Sequence, residues 1–171
     1  MAHYPDILNQ YVNWCGNRLL VRPVRPDDAA KFVTASLLCS AADLRFRFLR
    51  GMHRLSEDLA AQLTQIDYEQ HMVFVAENLK GEVIAVARFA RDALKKSAEC
   101  AVIVRSDLQR RGLGSLMHGM IEDYAISRGI TELWGVVAPD NLRALEFFRH
   151  FDFRIGFHID FPFTHIAKSL V

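Results

Sequence analysis

Residues 98–129, AECAVIVRSDLQRRGLGSLMHGMIEDYAISRG, run from an unbroken apolar stretch through a basic, glycine-punctuated loop directly into a helical repeat. The segment from Ala98 to Val104 is small and β-branched, which predicts a buried strand. After the loop, Leu113, Leu116, Met117, Met120, Ile121 and Tyr124 recur at helical spacing, and Gly129 is placed to end that helix. A loop that opens a helix delivers backbone N–H groups that have no intrahelical partner, and the helix dipole favours negative charge there. The QRRGLG segment is therefore a candidate anion site. Gly112 and Gly114 permit close backbone approach, and Arg110 and Arg111 add charge. A plain tight turn with solvated arginines is the competing reading, so the expectation rests on main-chain donors more than on side chains.

Two well-known phosphate loops do not fit. A Walker loop requires a lysine after its glycines, and none is present. A dinucleotide fingerprint requires a third glycine where Met117 stands, and the following strand TELWGVVA ends without a ribose-binding acid.

On the N-terminal side, NRLLVRPV predicts a first strand, and RPDDAAKFVTASLL a helix entered at Pro26 with Asp27 and Asp28 in its first turn. A polar helical region covers roughly residues 41 to 65. HMVFVAE, VIAVARFAR and SAECAVIVR, separated by turns at NLKGE and DALKK, predict an antiparallel meander. On the C-terminal side come the strand TELWGVVA, the amphipathic helix NLRALEFFRHF, and a closing strand pair FRIGFHIDF and FTHIAKSLV. A helix crosses between the strand before the glycine loop and the strand TELWGVVA, so these two are expected to be parallel neighbours in a mixed sheet.

Composition narrows the function classes. The chain has 171 residues, enough for one well-packed core, so residues 1–171 are expected to form a single domain. A formal net charge of +1 gives no basic field, and neither a nucleic-acid nor a membrane partner is expected. Cys15, Cys39 and Cys100 show no metal-type or redox-type pairing; with no secretory segment, this predicts a cytoplasmic protein. His158, Asp160 and His165 on the last strand pair do not have spacing that compels a metal site, and no metal is expected. Phe147, Phe148, Phe151 and Phe153 are read as core packing, and ARDALKK as a solvated turn. Oligomeric state is not encoded in any of these features.

The remaining loop pattern, Q/R-x-x-G-x-G/A, is matched by Gln109, Gly112 and Gly114. With the meander before it and APDNLRALEFFRHFDF after it, the chain resembles the GNAT superfamily of N-acetyltransferases. That resemblance implies an α/β GNAT fold, with a mostly antiparallel sheet, helices on both faces and a splayed parallel strand pair. It implies acetyl-CoA as acetyl donor. Main-chain groups of Val102, Ile103 and Val104 would line the acetyl and pantetheine arm, with donors near Ile103 polarising the thioester. Arg110, Arg111, Gly112, Leu113, Gly114 and Ser115 would hold the pyrophosphate. Asn141 matches the family asparagine that contacts the CoA arm, and it is equally suited to cap its helix.

Acetyl transfer needs a neutral amine. Deprotonating a lysine at neutral pH costs roughly 4 to 5 kcal/mol, given a pKa of about 10.4. Glu99 is the charged residue within SAECAVIV and directly precedes the segment assigned to the acetyl group, which suits a general base. The competing reading is an ion pair with Arg88, nearly opposite if the DALKK turn is tight. SAADLRFRFL, LTQIDYEQHMVFVAE and AECAVIV are similar to the catalytic domain of Pat-type protein lysine acetyltransferases, in which a glutamate matching Glu99 is the base. Two departures stand out: this chain has no length for the additional domain such proteins carry, and Phe148 occupies the position of the family's tyrosine acid. The thiolate would then leave unaided, take the amine's proton, or use Tyr124, whose place in the apolar stripe marks it as core. The expected acceptor is a protein lysine; a small amine, or a non-catalytic CoA-binding sensor, are the alternatives.

Overall fold

The computed structural model describes residues 3–157 and 161–171 of the chain. Among these, eight strands form one sheet: β1 (Gln10–Trp14), β2 (Asn17–Pro23), β3 (His71–Glu77), β4 (Val83–Arg91), β5 (Ser97–Val104), β6 (Glu132–Val137), β7 (Arg154–Gly156) and β8 (Thr164–Ser169). Their order is β1-β2-β3-β4-β5-β6-β8-β7. Neighbours are antiparallel except β5 and β6, which the crossover helix makes parallel. The helices are α1 (Ala29–Ser36), α2 (Ala41–Phe48), α3 (Glu57–Thr64), α4 (Leu113–Ser127) and α5 (Leu142–His150).

The sheet is buried on both faces at its centre, which is why β3 and β4 read as nearly continuous apolar runs. Met72, Phe74, Phe89 and Cys100 pack with Leu113, Met117 and Ile121 of α4, while Val73, Val75 and Val83 pack with Phe32 of α1, with Leu55 ahead of α3 and with Ala60 within it. Gly129 has a φ of +71° just after α4, and Ile130 N–H donates back to the Ala125 carbonyl at 3.0 Å, so the expected helix stop is present.

The differences from expectation have local causes. β1 escaped the sequence reading because its hairpin turns on Cys15 and Gly16, both at positive φ, and Cys-Gly lacks the usual Asn-Gly signal. The helical region 41–65 is two helices, capped by Ser40 and Ser56, with Leu49 closing α2 in the left-handed region at φ +57°. Asp28 does more than complement a dipole. It is buried and takes both Arg22 Nη atoms at 2.7 and 2.8 Å, while Glu77 holds Arg22 at 2.6 Å and Lys31 at 2.8 Å. This network ties β2, β3 and the start of α1 together. The C-terminal strand pair is present as β7 and β8, shorter than expected; His158 and Asp160 lie outside the described residues. Among the described residues no helix is long and apolar enough to cross a membrane.

Candidate active site at the β5–β6 splay

β5 and β6 pair only over Ser97–Glu99 and Glu132–Trp134, and then diverge. Beyond the fork, Cys100–Val104 and Gly135–Val137 become the two banks of a cleft of about 680 Å³, within the usual range for a small-molecule site. Gly135 sits at the fork, where a Cβ would meet the Cys100 carbonyl at 3.1 Å, so a larger residue there would press the two backbones apart by a few tenths of an ångström.

The ladder between β4 and β5 decides which main-chain groups face the cleft. Asp92 N–H bonds the Ser97 carbonyl and Arg105 N–H the Ile84 carbonyl, so odd-numbered residues of β5 bond to β4. Ile103 therefore spends its N–H and C=O on β4, and its side chain lines the cleft instead. The main-chain groups turned toward β6 are those of Cys100, Val102 and Val104, which corrects the expectation centred on Ile103.

α4 begins at the end of this cleft. α2, α3 and α5 each receive a side-chain cap, from Ser40, Ser56 and Asn141, but α4 starts at Gly112 with no side-chain cap and no acid in its first turn. Its first N–H groups are thus left for an external acceptor. Gly112 has φ +80° and Arg110 φ +60°, the two left-handed residues that fold the loop back onto the helix start. Arg110, Gly112, Leu113, Gly114, Ser115 and Asn141 all line the cleft. Arg111 does not; its carbonyl accepts the Trp14 indole N–H at 2.7 Å, so the β1–β2 hairpin braces the loop from behind.

A polar net spans the cleft mouth. Gln109 Nε2 donates to Asp43 at 2.9 Å and to the Val104 carbonyl at 3.1 Å, and its Oε1 accepts from Arg143. Asp43 also accepts from Ser106 at 2.6 Å. Arg45 of α2 pairs at 2.6 Å with Asp140, between β6 and α5, and holds that carboxyl below the usual range. Asn141 caps α5 through Ala144 N–H at 3.2 Å while lining the cleft, so its capping role is real.

Glu99 occupies the last paired position of β5, on the face opposite α4. Its cross-strand partner is Ala90, and Arg88 is opposite Ala101. The expected near-opposite pair is instead diagonal, because the Asp92–Ser97 closure leaves a longer turn; Arg88 Nη1 lies 3.8 Å from Glu99 Oε2, too far for a hydrogen bond. The turn itself is solvated at Leu94, but Asp92 is engaged, accepting from Ser97 Oγ and from Trp134 Nε1 at 3.1 Å. Arg47 of α2, half-buried, lines this cleft and also a smaller apolar cavity of about 50 Å³ between α1, α2 and the sheet; Ile103 lines both. Desolvation, then the like charge of Arg88, push the Arg47 guanidinium down, with Glu99 opposing. Nothing in the polar spacing of α2 signalled Arg47.

Two aromatic expectations are resolved. Tyr124 is core: its ring packs edge-on against Phe74 and Phe89, and burial raises its phenol pKa. Phe148 lines the cleft and belongs to the expected phenylalanine cluster. At the centre of that cluster, unforeseen, is His118, fully buried and in contact with Phe147, Phe148, Phe151 and Phe153. Its Nε2 is 3.0 Å from Glu122, which also holds Lys168 at 2.6 Å, and burial lowers its pKa. His165 stacks on Trp134 at 5.8 Å. Among the described residues no three His, Cys, Asp or Glu side chains gather as a metal site.

The same arrangement occurs in known proteins. The profile of the acetyltransferase (GNAT) family matches residues 40–153. An acetyltransferase of Pseudomonas aeruginosa is 31% identical over 129 residues, which span 74% of this chain and 69% of that protein. The acetyltransferase Pat of Mycolicibacterium smegmatis is 33% identical over 129 residues, spanning 74% of this chain but 38% of Pat. The crystal structure of the GNAT domain of S. lividans PAT superposes with a TM-score of 0.89 at 25% identity, covering 98% of this chain and 99% of that one. With its splayed parallel strands and uncapped glycine-loop helix, the chain belongs to the GNAT family and is an acetyl-CoA-dependent acetyltransferase.

Proposed function

We propose that the chain transfers acetyl from acetyl-CoA to the side-chain amine of a protein lysine, with Glu99 as the base. The carrying observation is the position of Glu99 at the last paired residue before the splay, one residue ahead of the strand edge that faces the cleft. The lysine acceptor draws support from the Pat-like sequence features and from the likeness to the PAT domain over nearly the whole of both chains.

The donor set fits acetyl-CoA. The uncapped start of α4, with Gly112 to Ser115, would hold the pyrophosphate through main-chain N–H groups, and Arg110 adds charge. Bound acetyl-CoA supplies an acetyl group activated as a thioester. The Val102 main-chain groups and the Val104 N–H would hold the arm, and a preorganised N–H there would stabilise the charge that develops on the carbonyl oxygen. Glu99 accepts the proton from the acceptor nitrogen. Arg88, a diagonal ion-pair partner at 3.8 Å, is too far to occupy the Glu99 lone pairs with a hydrogen bond.

The test is an acceptor series with Glu99→Gln alongside. Acetyl transfer to folded proteins by the wild type, reduced at least about 100-fold in the variant with acetyl-CoA affinity kept, is the expected result for loss of a general base. Rapid turnover of polyamines or aminoglycosides with no protein acetylated would refute the lysine acceptor. Unchanged turnover in Glu99→Gln would remove the carboxylate from the chemistry.

A further inference from the structure

Near Glu99, the base proposed above, lies a cation without a hydrogen-bonded or ion-pair partner among the described residues. Arg88, Glu99 and Ala101 share one face of the sheet, and Arg47 reaches the same space from α2. The neighbouring charges are committed elsewhere: Asp92 serves Ser97 and Trp134, and Arg105 is held by Asp107 at 2.6 Å. Arg88 shares Glu99 at 3.8 Å. Arg47 makes no hydrogen bond or ion pair among the described residues, and has the Phe48 ring 4.9 Å away. Arg47 and Arg88 both line the apolar cavity under α2, and Glu99, which lines neither that cavity nor the cleft, is the one carboxylate beside these two guanidinium groups. A simple ammonium approaching Glu99 adds a third cation. An amine with its own carboxylate brings the missing counter-charge, and a guanidinium fork is the group shaped to take it.

We propose that Arg47, together with Arg88, forms an anion subsite that selects acceptor amines carrying a carboxylate near the reacting nitrogen. The inference rests on the amine-acetylating role proposed above and specifies which amines are taken. The carboxylate has two sources, the acceptor's own main-chain terminus or an acidic side chain beside a lysine.

Four probes separate these: Nα-acetyl-lysine against Nα-acetyl-lysine amide, and a neutral capped peptide Glu-Lys against Gln-Lys. Each is assayed for thiol release with acetyl-CoA and, independently of turnover, for calorimetric binding to CoA-saturated protein. The expected result is a preference of about tenfold or more for the carboxylate partner in at least one pair, the scale of one charge-assisted hydrogen bond. Arg47→Met, which keeps the stem and removes the charge, brings that ratio close to one, while Arg47→Lys retains part of it. The pair that shows the preference identifies the source. Equal binding and turnover within both pairs, or a ratio that survives in Arg47→Met combined with Arg88→Met, overturns the subsite. Turnover without preference leaves acetyl transfer standing and sinks only the subsite. Carboxylate-selective binding without turnover of any probe keeps the subsite and sinks the lysine acceptor. No binding of any probe overturns the subsite.

Discussion

Gly112 and Gly114 look equivalent in sequence, and the structure predicts opposite responses to alanine. Gly112 has φ +80°, and a Cβ there would meet nothing within 4 Å, so the penalty of Gly112→Ala is conformational alone. A left-handed alanine costs about 1–2 kcal/mol. For a chain of this size that lowers the melting temperature by about 2–8 °C. Because relaxing the strain moves the N–H groups that would grip pyrophosphate, acetyl-CoA affinity falls by about tenfold as well. Gly114 lies within α4 with no positive φ, and a Cβ there would find Phe147 at 3.6 Å and Val104 at 3.7 Å, ordinary contacts. Gly114→Ala gains up to about 1 kcal/mol of helix propensity, raises the melting temperature by about 2–4 °C, and leaves acetyl-CoA affinity within a few-fold of wild type. Thermal unfolding and calorimetric titration of both variants are the assay. A Gly112→Ala variant as stable and as tight as wild type would refute the claim that the left-handed conformation of Gly112 shapes the loop for binding. A Gly114→Ala variant that folds but no longer binds acetyl-CoA would refute the assignment of its Cβ direction to the apolar wall.

Other expectations follow from the same contacts. Trp14→Phe removes one neutral hydrogen bond to the Arg111 carbonyl, worth about 0.5–1.5 kcal/mol, and weakens acetyl-CoA about 2- to 12-fold with the fold intact. Calorimetry reads it directly. Asp28→Asn leaves Arg22 buried with a broken partner and costs about 3–5 kcal/mol in urea unfolding. Burial opposes ionisation of Asp28 and Glu77, yet bonds from Arg22 and, for Glu77, Lys31 hold both carboxyls below their usual range. Their stabilisation is complete above the unfolded carboxylate pKa of about 4 and is lost as pH falls through the lower folded values. The acid limb of the stability profile is therefore shallower in Asp28→Asn. Burial depresses His118, so its contribution is present above the unfolded value of about 6.5 and declines as pH falls below it; His118→Leu removes that slope. An unchanged profile would contradict the assignment.

Much of the fold is legible because it is written locally. The meander of β3 to β5, the stripe of α4 and the glycine loop each carry a period or a punctuation mark that needs no distant partner. What was hidden depends on long-range meeting. Trp14 supports a carbonyl 97 residues away, and no local pattern in QYVNW announces it. The α4 stripe concealed His118 because a histidine at an apolar position gains its meaning from α5 and the residues just after it, which supply Phe147 and Phe148, then Phe151 and Phe153. Glu99 was legible as an isolated acid in an apolar strand, but its register with Arg88 depended on the length of the turn. Arg47 was read as part of a polar helix, since the direction in which α2 presents it is set by the capping and docking of that helix, not by its own seven neighbours.

The pair Arg45–Asp140 joins α2, which lies against β5, to the segment that follows β6. It is therefore a strut between the two arms of a fork, and the width of the fork is the width of the cleft in which the acetyl-CoA arm is proposed to lie. Both partners are solvent-exposed, so dissolved ions compete for the strut directly. Salt then acts on the enzyme twice, screening the phosphates of the incoming donor while slackening the gap they must enter. The first effect slows association and the second eases it. The ionic-strength dependence of acetyl-CoA association is consequently flatter than the charge of its phosphates alone would give, and it steepens when Arg45 is replaced.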